Sequence, residues 1–256
     1  MFNYCKSIAV RWLPPKMVTS LRGLVRRLRG RYIANLNSDK SSKDVFSEIY
    51  EKNLWGGKVG TFYSGSEISD IPAGLYIDVV RNFMRDREVR SVVDLGCGDF
   101  KIGRQISEAC ESYVGVDVVP ALIEHLRDEY SSSRVSFACL DASLDDLPSG
   151  DLCLIRQVLQ HLSNEQISRI LKKLSTFKYL IVTEHYPNDS NFRSFNMDKV
   201  HGRDTRLDYG SAVYLQNPPF NVGSQTLLLQ TQPSIKPGDV HDVYRSGFLR
   251  TYLVDL

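Results

Sequence analysis

The chain has 256 residues, 42% of them hydrophobic and 24% charged, enough for one large core or one domain with a small cap. Eight of its 32 Lys and Arg fall within residues 1–32, which hold no Asp or Glu, so the other 24 face all 30 acidic side chains. An acidic body lacks the phosphate-neutralising surface that sustains non-specific nucleic-acid binding, and no nucleic-acid partner is expected. Five cysteines (Cys5, Cys97, Cys110, Cys139, Cys153) form an odd set without Cys-x-x-Cys spacing, which fits a reduced, cytoplasmic setting. No apolar run approaches a membrane span, and none suits a secretory signal.

Beyond Pro14-Pro15, Met17, Leu21, Leu24, Val25 and Leu28 fall on one helical stripe among arginines. Such a helix lies on an anionic membrane surface, docks on a partner, or packs on the body; its acid-free, Arg-rich character also suits a targeting segment. Residues 1–43 thus read as a basic leader and polar linker, with peripheral membrane contact assigned to residues 1–32. Residues 44–88 read as a helical cap, with helices in "DVFSEIYEKNLWGG" and "IPAGLYIDVVRNFMRD" around the loop "KVGTFYSGSE". From residue 89 onward strands and helices alternate, which implies a parallel sheet with crossover helices. The predicted strands are 90–96, 112–119, 134–141, 150–158 and 178–186, with helices in "KIGRQISEAC", "PALIEHLRDEY" and "NEQISRILKKLS". A polar insert, 187–224, then breaks the alternation. It ends in the strand-like "SAVYLQ" and "NPPF". "SQTLLLQTQ" and "GFLRTYLVDL" close the chain as an antiparallel pair whose connection holds Pro237-Gly238.

The chemistry-bearing stretch is "VVDLGCGDF", an apolar strand ending in Asp94-Leu-Gly96-Cys-Gly98 and leading into a helix. Its glycines permit a tight turn and let a ligand approach the backbone. A dinucleotide loop would place its third glycine where Lys101 stands, so that reading fails. Asp94 would repel a pyrophosphate but suits the ammonium of an amino-acid moiety. Asp117 ends the second strand 19 residues after Gly98, where a carboxylate accepts both hydroxyls of a ribose. Asp141 ends the third strand, placed to take a hydrogen bond from an adenine amino group. Ammonium, ribose and adenine together describe S-adenosylmethionine.

On these motifs residues 90–186 resemble a class I (Rossmann-like) S-adenosylmethionine-dependent methyltransferase. The resemblance implies an α/β fold with a seven-stranded, mostly parallel sheet of order 3-2-1-4-5-7-6, strand seven antiparallel, and helices on both faces. It also implies that Gly96 and Gly98 line the cofactor, that Asp117 binds the ribose, that Val118 touches the cofactor, and that Asp141 and Ala142 face adenine. The backbone near Arg156 and Gln157 would hold the methionine end, with Tyr63, Gly65 and Ser66 of the cap closing over it. The domain would span 89–256, the insert supplying substrate contacts.

Methyl transfer to a hydroxyl also calls for a general base. His161, after strand four, and Glu184 and His185, at the end of strand five, are the catalytic candidates. Arg203, Arg206, Asn217 and Phe220 of the insert are the substrate-side candidates. No His or carboxylate pair at ligand spacing stands near these strand ends, and no metal is expected. The leading expectation is O-methylation of a small-molecule or glycan hydroxyl, the pattern resembling methyltransferases of bacterial surface-polysaccharide pathways. Two alternatives are a protein or nucleic-acid N-methyltransferase using "NPPF" and a catalytically silent cofactor-binding interaction protein. The "NPPF" reading suffers from position, since an Asn-Pro-Pro catalytic loop belongs after strand four.

Overall fold

In the computed structural model, which describes residues 36–58, 60–65, 71–232 and 247–255, the five apolar runs form parallel strands. These are β1 (Ser91–Leu95), β2 (Ser112–Asp117), β3 (Val135–Cys139), β4 (Leu152–Arg156) and β5 (Tyr179–Tyr186). β6 (Gln225–Thr231) pairs with β7 (Phe248–Val254), and β7 runs antiparallel to both β5 and β6. The order β3-β2-β1-β4-β5-β7-β6 is the Rossmann-like one expected. Residues 1–32, Ser66 and the Pro237-Gly238 connection lie outside the described residues.

Strands β1 and β4 form the centre, and Val92, Val93, Leu95 and Leu152 through Ile155 are buried because helices cover both faces. The helices are α1 (Ser42–Glu51), α2 (Ile71–Asp86), α3 (Lys101–Ser107), α4 (Pro120–Tyr130) and α5 (Asn164–Leu171). The Ser41 hydroxyl caps α1 by accepting from the Asp44 amide at 3.1 Å, and a Ser163–Gln166 capping box opens α5. Gln166 Nε2 also donates to Ser42 Oγ at 2.8 Å, tying the two helix starts together. Helix α1 ends before the predicted Gly57 because Asn53, Gly56 and Gly57 all take positive φ. Among the described residues no helix is long and apolar enough to cross a membrane.

The chain leaves β1 towards β2 and β3, then returns to start β4 on the other side of β1. That reversal opens a crevice at the carboxyl ends of β1 and β4, where open α/β sheets take their ligands.

The insert 187–224 forms no strand or α-helix, only a short 3-10 turn at Arg206–Tyr209; "SAVYLQ", strand-like in sequence, pairs with nothing. Two buried side chains organise it instead. Asn196, at φ 47°, donates from Nδ2 to the carbonyls of Tyr214, Asn217 and Pro218, and its Oδ1 accepts from the Tyr214 amide at 2.7 Å. Arg206 is 1% exposed and donates to the Met197 carbonyl (3.0 Å), the Leu159 carbonyl (2.9 Å) and Asn164 Oδ1 (2.8 Å). Arg206, a substrate-side candidate in the sequence, is thus spent inside the fold; its guanidinium bolts the insert to the turn after β4. Arg206→Met should cost about 3–5 kcal/mol, because three buried acceptors lose their donor. A lowered urea midpoint at unchanged slope would report it.

Candidate active site

The pocket opens at the crevice. Its floor is the loop 94–99, its walls are the ends of β2, β3 and β4, and its cover comes from α1 and the chain before α2. Gly96 and Gly98 both take positive φ, 74° and 55°. A Cβ added at Gly96 would come within 2.4 Å of Val158 Cγ2, and one at Gly98 within 2.8 Å of Ser64 Cβ. The loop is thus packed tightly on both flanks, and its backbone forms the pocket surface.

Asp94 is nearly buried and accepts the hydroxyl of Tyr113, a β2 residue that reaches under the loop beside Gly103. Burial pushes Asp94 up to about 6, against the pull of Tyr113 and the nearby Arg156. Asp117 accepts from the amides of Gly98 and Val119, each at 3.2 Å, one on each carboxylate oxygen. Burial pushes it up to about 6 as well, against those amide donors. Asp141 is fixed as a turn residue, its Oδ1 accepting from the Ser143 amide (2.8 Å) and hydroxyl (2.6 Å). Val118, Asp141, Ala142 and Ser143 share the wall. Arg156 also lines the pocket, its guanidinium 5.2 Å from the centre of the Tyr76 ring.

The cover differs from expectation by one residue. Ser64 lines the pocket, its hydroxyl accepting from the Asp99 amide at 3.4 Å, whereas Tyr63 and Gly65 do not line it. Tyr63 instead packs over Gly57 with Lys101 Nζ 5.0 Å from its ring, and Gly65, at φ 89°, has open space about its Cα. Sequence reading missed the aromatic wall of Phe46, Tyr50, Trp55 and Tyr76. Trp55 stands edge-on to Tyr50 at 5.1 Å and lies 5.6 Å from the His161 ring. The spacing of Phe46 and Tyr50, four apart on α1, was the available signal, but the same spacing marks an ordinary core stripe.

The turn after β4 carries His161, one of the three catalytic candidates. Gln157 leaves the strand at φ 56°, an uncommon conformation for a non-glycine residue. Glu184 holds this turn: one oxygen accepts from the amides of Val158 (3.1 Å) and Leu159 (2.8 Å), the other from Gln160 (3.2 Å). Glu184 is 0% exposed and burial pushes it up to about 8, opposed by the three amides and by Arg206. It does not line the pocket, so its geometry is that of an anchor and not of a base.

His161 does line the pocket. Its Nδ1 lies 3.1 Å from the Gly202 carbonyl oxygen, which can only accept, so Nδ1 carries the proton and Nε2 the lone pair. Gln160 Nε2 approaches that Nε2 at 3.4 Å, the outer limit of a hydrogen bond. Burial, with Lys199 nearby, drives the ring down to about 4, so it is neutral in the physiological range.

The remaining candidates stand apart. His185, buried and driven down to about 4 by burial and by Arg156, points to the opposite side of β5 from Glu184 and lines no part of the pocket. Arg203 reaches back to the Leu54 carbonyl at 3.4 Å. Asn217 and Phe220 sit in the turn held by Asn196, outside the pocket wall.

Residues 92–177, about a third of the chain, match the family model described as "Methyltransferase domain". Over these residues the chain is similar to methyltransferase domains. The N-methyltransferase NodS from Bradyrhizobium japonicum WM9, solved with S-adenosyl-L-homocysteine, superposes with a TM-score of 0.53 at 14% identity, over 83% of this chain and 100% of that one. Human N-acetylserotonin methyltransferase, solved with S-adenosylmethionine, gives 0.53 at 13% identity, over 92% of this chain and 67% of that one. At such identity these likenesses speak for the fold alone. A comparison with curated proteins finds no match.

The residues present fit the cofactor. A floor containing Gly96 and Gly98 meets buried acids at the ends of β1 and β2, a third acid just after β3, and an aromatic cover. Asp94 would serve the amino-acid end, Asp117 the ribose and the 141–143 turn the adenine. Asp117→Asn should weaken S-adenosylhomocysteine binding about tenfold or more, the loss of charged hydrogen bonds, as read by calorimetry. Since both Asp94 and Asp117 ionise near 6, wild-type affinity should rise as pH climbs through about 6.

Proposed function

We propose that the protein methylates a hydroxyl of a small molecule, sugars and glycans being the first class to test, with His161 as the general base. One observation carries this: His161 stands on the pocket wall with its Nδ1 proton committed to Gly202, so its Nε2 presents a lone pair. S-adenosylmethionine, when bound, supplies a methyl group on a sulfonium. A hydroxyl reaching that group must shed its proton, and Nε2 is the acceptor this chain offers there. Trp55 packs against the imidazole and limits its rotation, while the aromatic wall keeps water away from the reacting region.

The likeness to an N-methyltransferase shows that the fold alone does not choose the acceptor. What disfavours amine chemistry through "NPPF" is local. The Asn217 and Pro218 carbonyls already accept from Asn196 Nδ2, at 3.1 and 2.9 Å, and no residue of the segment lines the pocket.

The test is S-adenosylhomocysteine release with a panel of monosaccharides, glycosides and amines. His161→Ala should lower turnover about 100-fold or more while leaving S-adenosylhomocysteine affinity within a few-fold. Asn217→Ala should keep wild-type turnover. Because the neutral ring persists until pH falls to about 4, the acid limb of kcat at saturation should lie well below the ordinary histidine range. Turnover confined to amines, or a fully active His161→Ala, would overturn the reading.

A further inference from the structure

The stretch from Lys199 to Arg206 is polar in sequence yet lies inside the fold. The Lys199 side chain is 4% exposed and that of Asp204 14%, and their charged atoms are 3.4 Å apart. Burying an ammonium is costly unless its protons are used. Lys199 Nζ donates to the Val200 carbonyl at 2.7 Å and approaches the His161 carbonyl at 3.4 Å. Asp204 Oδ2 accepts from the Tyr209 hydroxyl at 3.3 Å. Between them, the Gly202 amide donates to the His161 carbonyl at 3.0 Å while the Gly202 carbonyl takes the ring proton at 3.1 Å. One short segment of the insert thus grips His161 at both its backbone and its ring.

We propose that Lys199–Asp204 is the positioning element of the base: the Gly202 carbonyl selects the Nδ1-protonated tautomer, and the buried Lys199–Asp204 pair holds that segment in place and sets the charge around the imidazole. The proposal rests on the reading of His161 as the base. Lys199 and Asp204 are the insert's charges beside the ring. Glu184 and Arg206 sit beneath the same turn, bound to its amides and to the Leu159 carbonyl, and Trp55 and Gln160 flank the ring without charge. Lys199 drives the imidazole towards its neutral form and Asp204 opposes it. Neither lines the cofactor pocket, so they are positioning residues.

The experiment is nitrogen-15 NMR of the imidazoles in the full chain, with the His161 signals assigned by their absence in His161→Ala. The wild type should show the Nδ1-protonated tautomer. Lys199→Met should raise the His161 titration midpoint by about one unit, whereas Lys199→Arg, which keeps the charge, should leave it in place. S-adenosylhomocysteine affinity should be unchanged in both. An Nε2-protonated ring in the wild type, or an unmoved midpoint in folded Lys199→Met, would overturn the proposal. The tautomer alone decides should Lys199→Met fail to fold. No acceptor is needed, so the two readings fail separately. An unmoved midpoint with an inactive His161→Ala removes only the positioning role, and a fully active His161→Ala removes the base.

Discussion

One carboxylate sets the geometry on which the pocket depends. Strands β4 and β5 are parallel neighbours with Arg156 opposite Thr183, so Glu184, one residue further along, stands opposite the point where β4 ends. There the chain turns sharply through Gln157, and the next three amides would be left without partners in a buried turn. Glu184 takes all three. The turn so fixed places Val158 against Gly96, Leu159 in the core and His161 on the pocket wall. The pocket floor and the His161 turn thereby depend on one constraint. The same constraint explains why Glu184 makes a poor base: its oxygens are spent on the backbone.

Burial disfavours the charged form of two carboxylates inside the pocket. Asp94 and Asp117 are both buried and both pushed up to about 6, chiefly by loss of water. Arg156 lies close enough to pull Asp94 down, but it too is disfavoured by burial. A ligand that brings a positive charge to one acid and hydroxyl donors to the other replaces the missing water. A cationic, ribose-bearing cofactor answers both needs, which a pyrophosphate would not. Tyr113 completes the arrangement from behind by holding the Asp94 carboxylate in one orientation beside Gly103.

Much of this was legible in the sequence. Strand and helix positions follow from short apolar runs punctuated by turn residues, and the sheet order follows from the resemblance carried by Asp94, Gly96, Gly98, Asp117 and Asp141. These are local signals, a residue type at a strand end. The residues misread from sequence depend on contacts far along the chain. Arg206 looked like a substrate contact because nothing nearby reveals that Leu159, 47 positions earlier, needs its donor. Glu184 looked like a base because its three amides belong to another strand. Tyr63 and Gly65 flank Ser64, and which of the three turns inward depends on Asp99 lying across from it.

The insert is where the fold departs from strand–helix alternation, and its polarity hides two different surfaces. One side is spent inward: Arg206, Lys199 and the Gly202 backbone hold the His161 turn, and Asn196 closes the "NPPF" loop. The other side is open, with Phe195 51% and Met197 36% exposed beside these inward groups. No described insert residue touches the cofactor floor. Phe195 and Met197 on the open side therefore stand apart from Asp94 and Asp117 of the pocket. Change on the inward side reaches His161 itself, through the Gly202 carbonyl and the charges flanking it. A single irregular segment thus carries buried polar contacts on one face and exposed apolar side chains on the other.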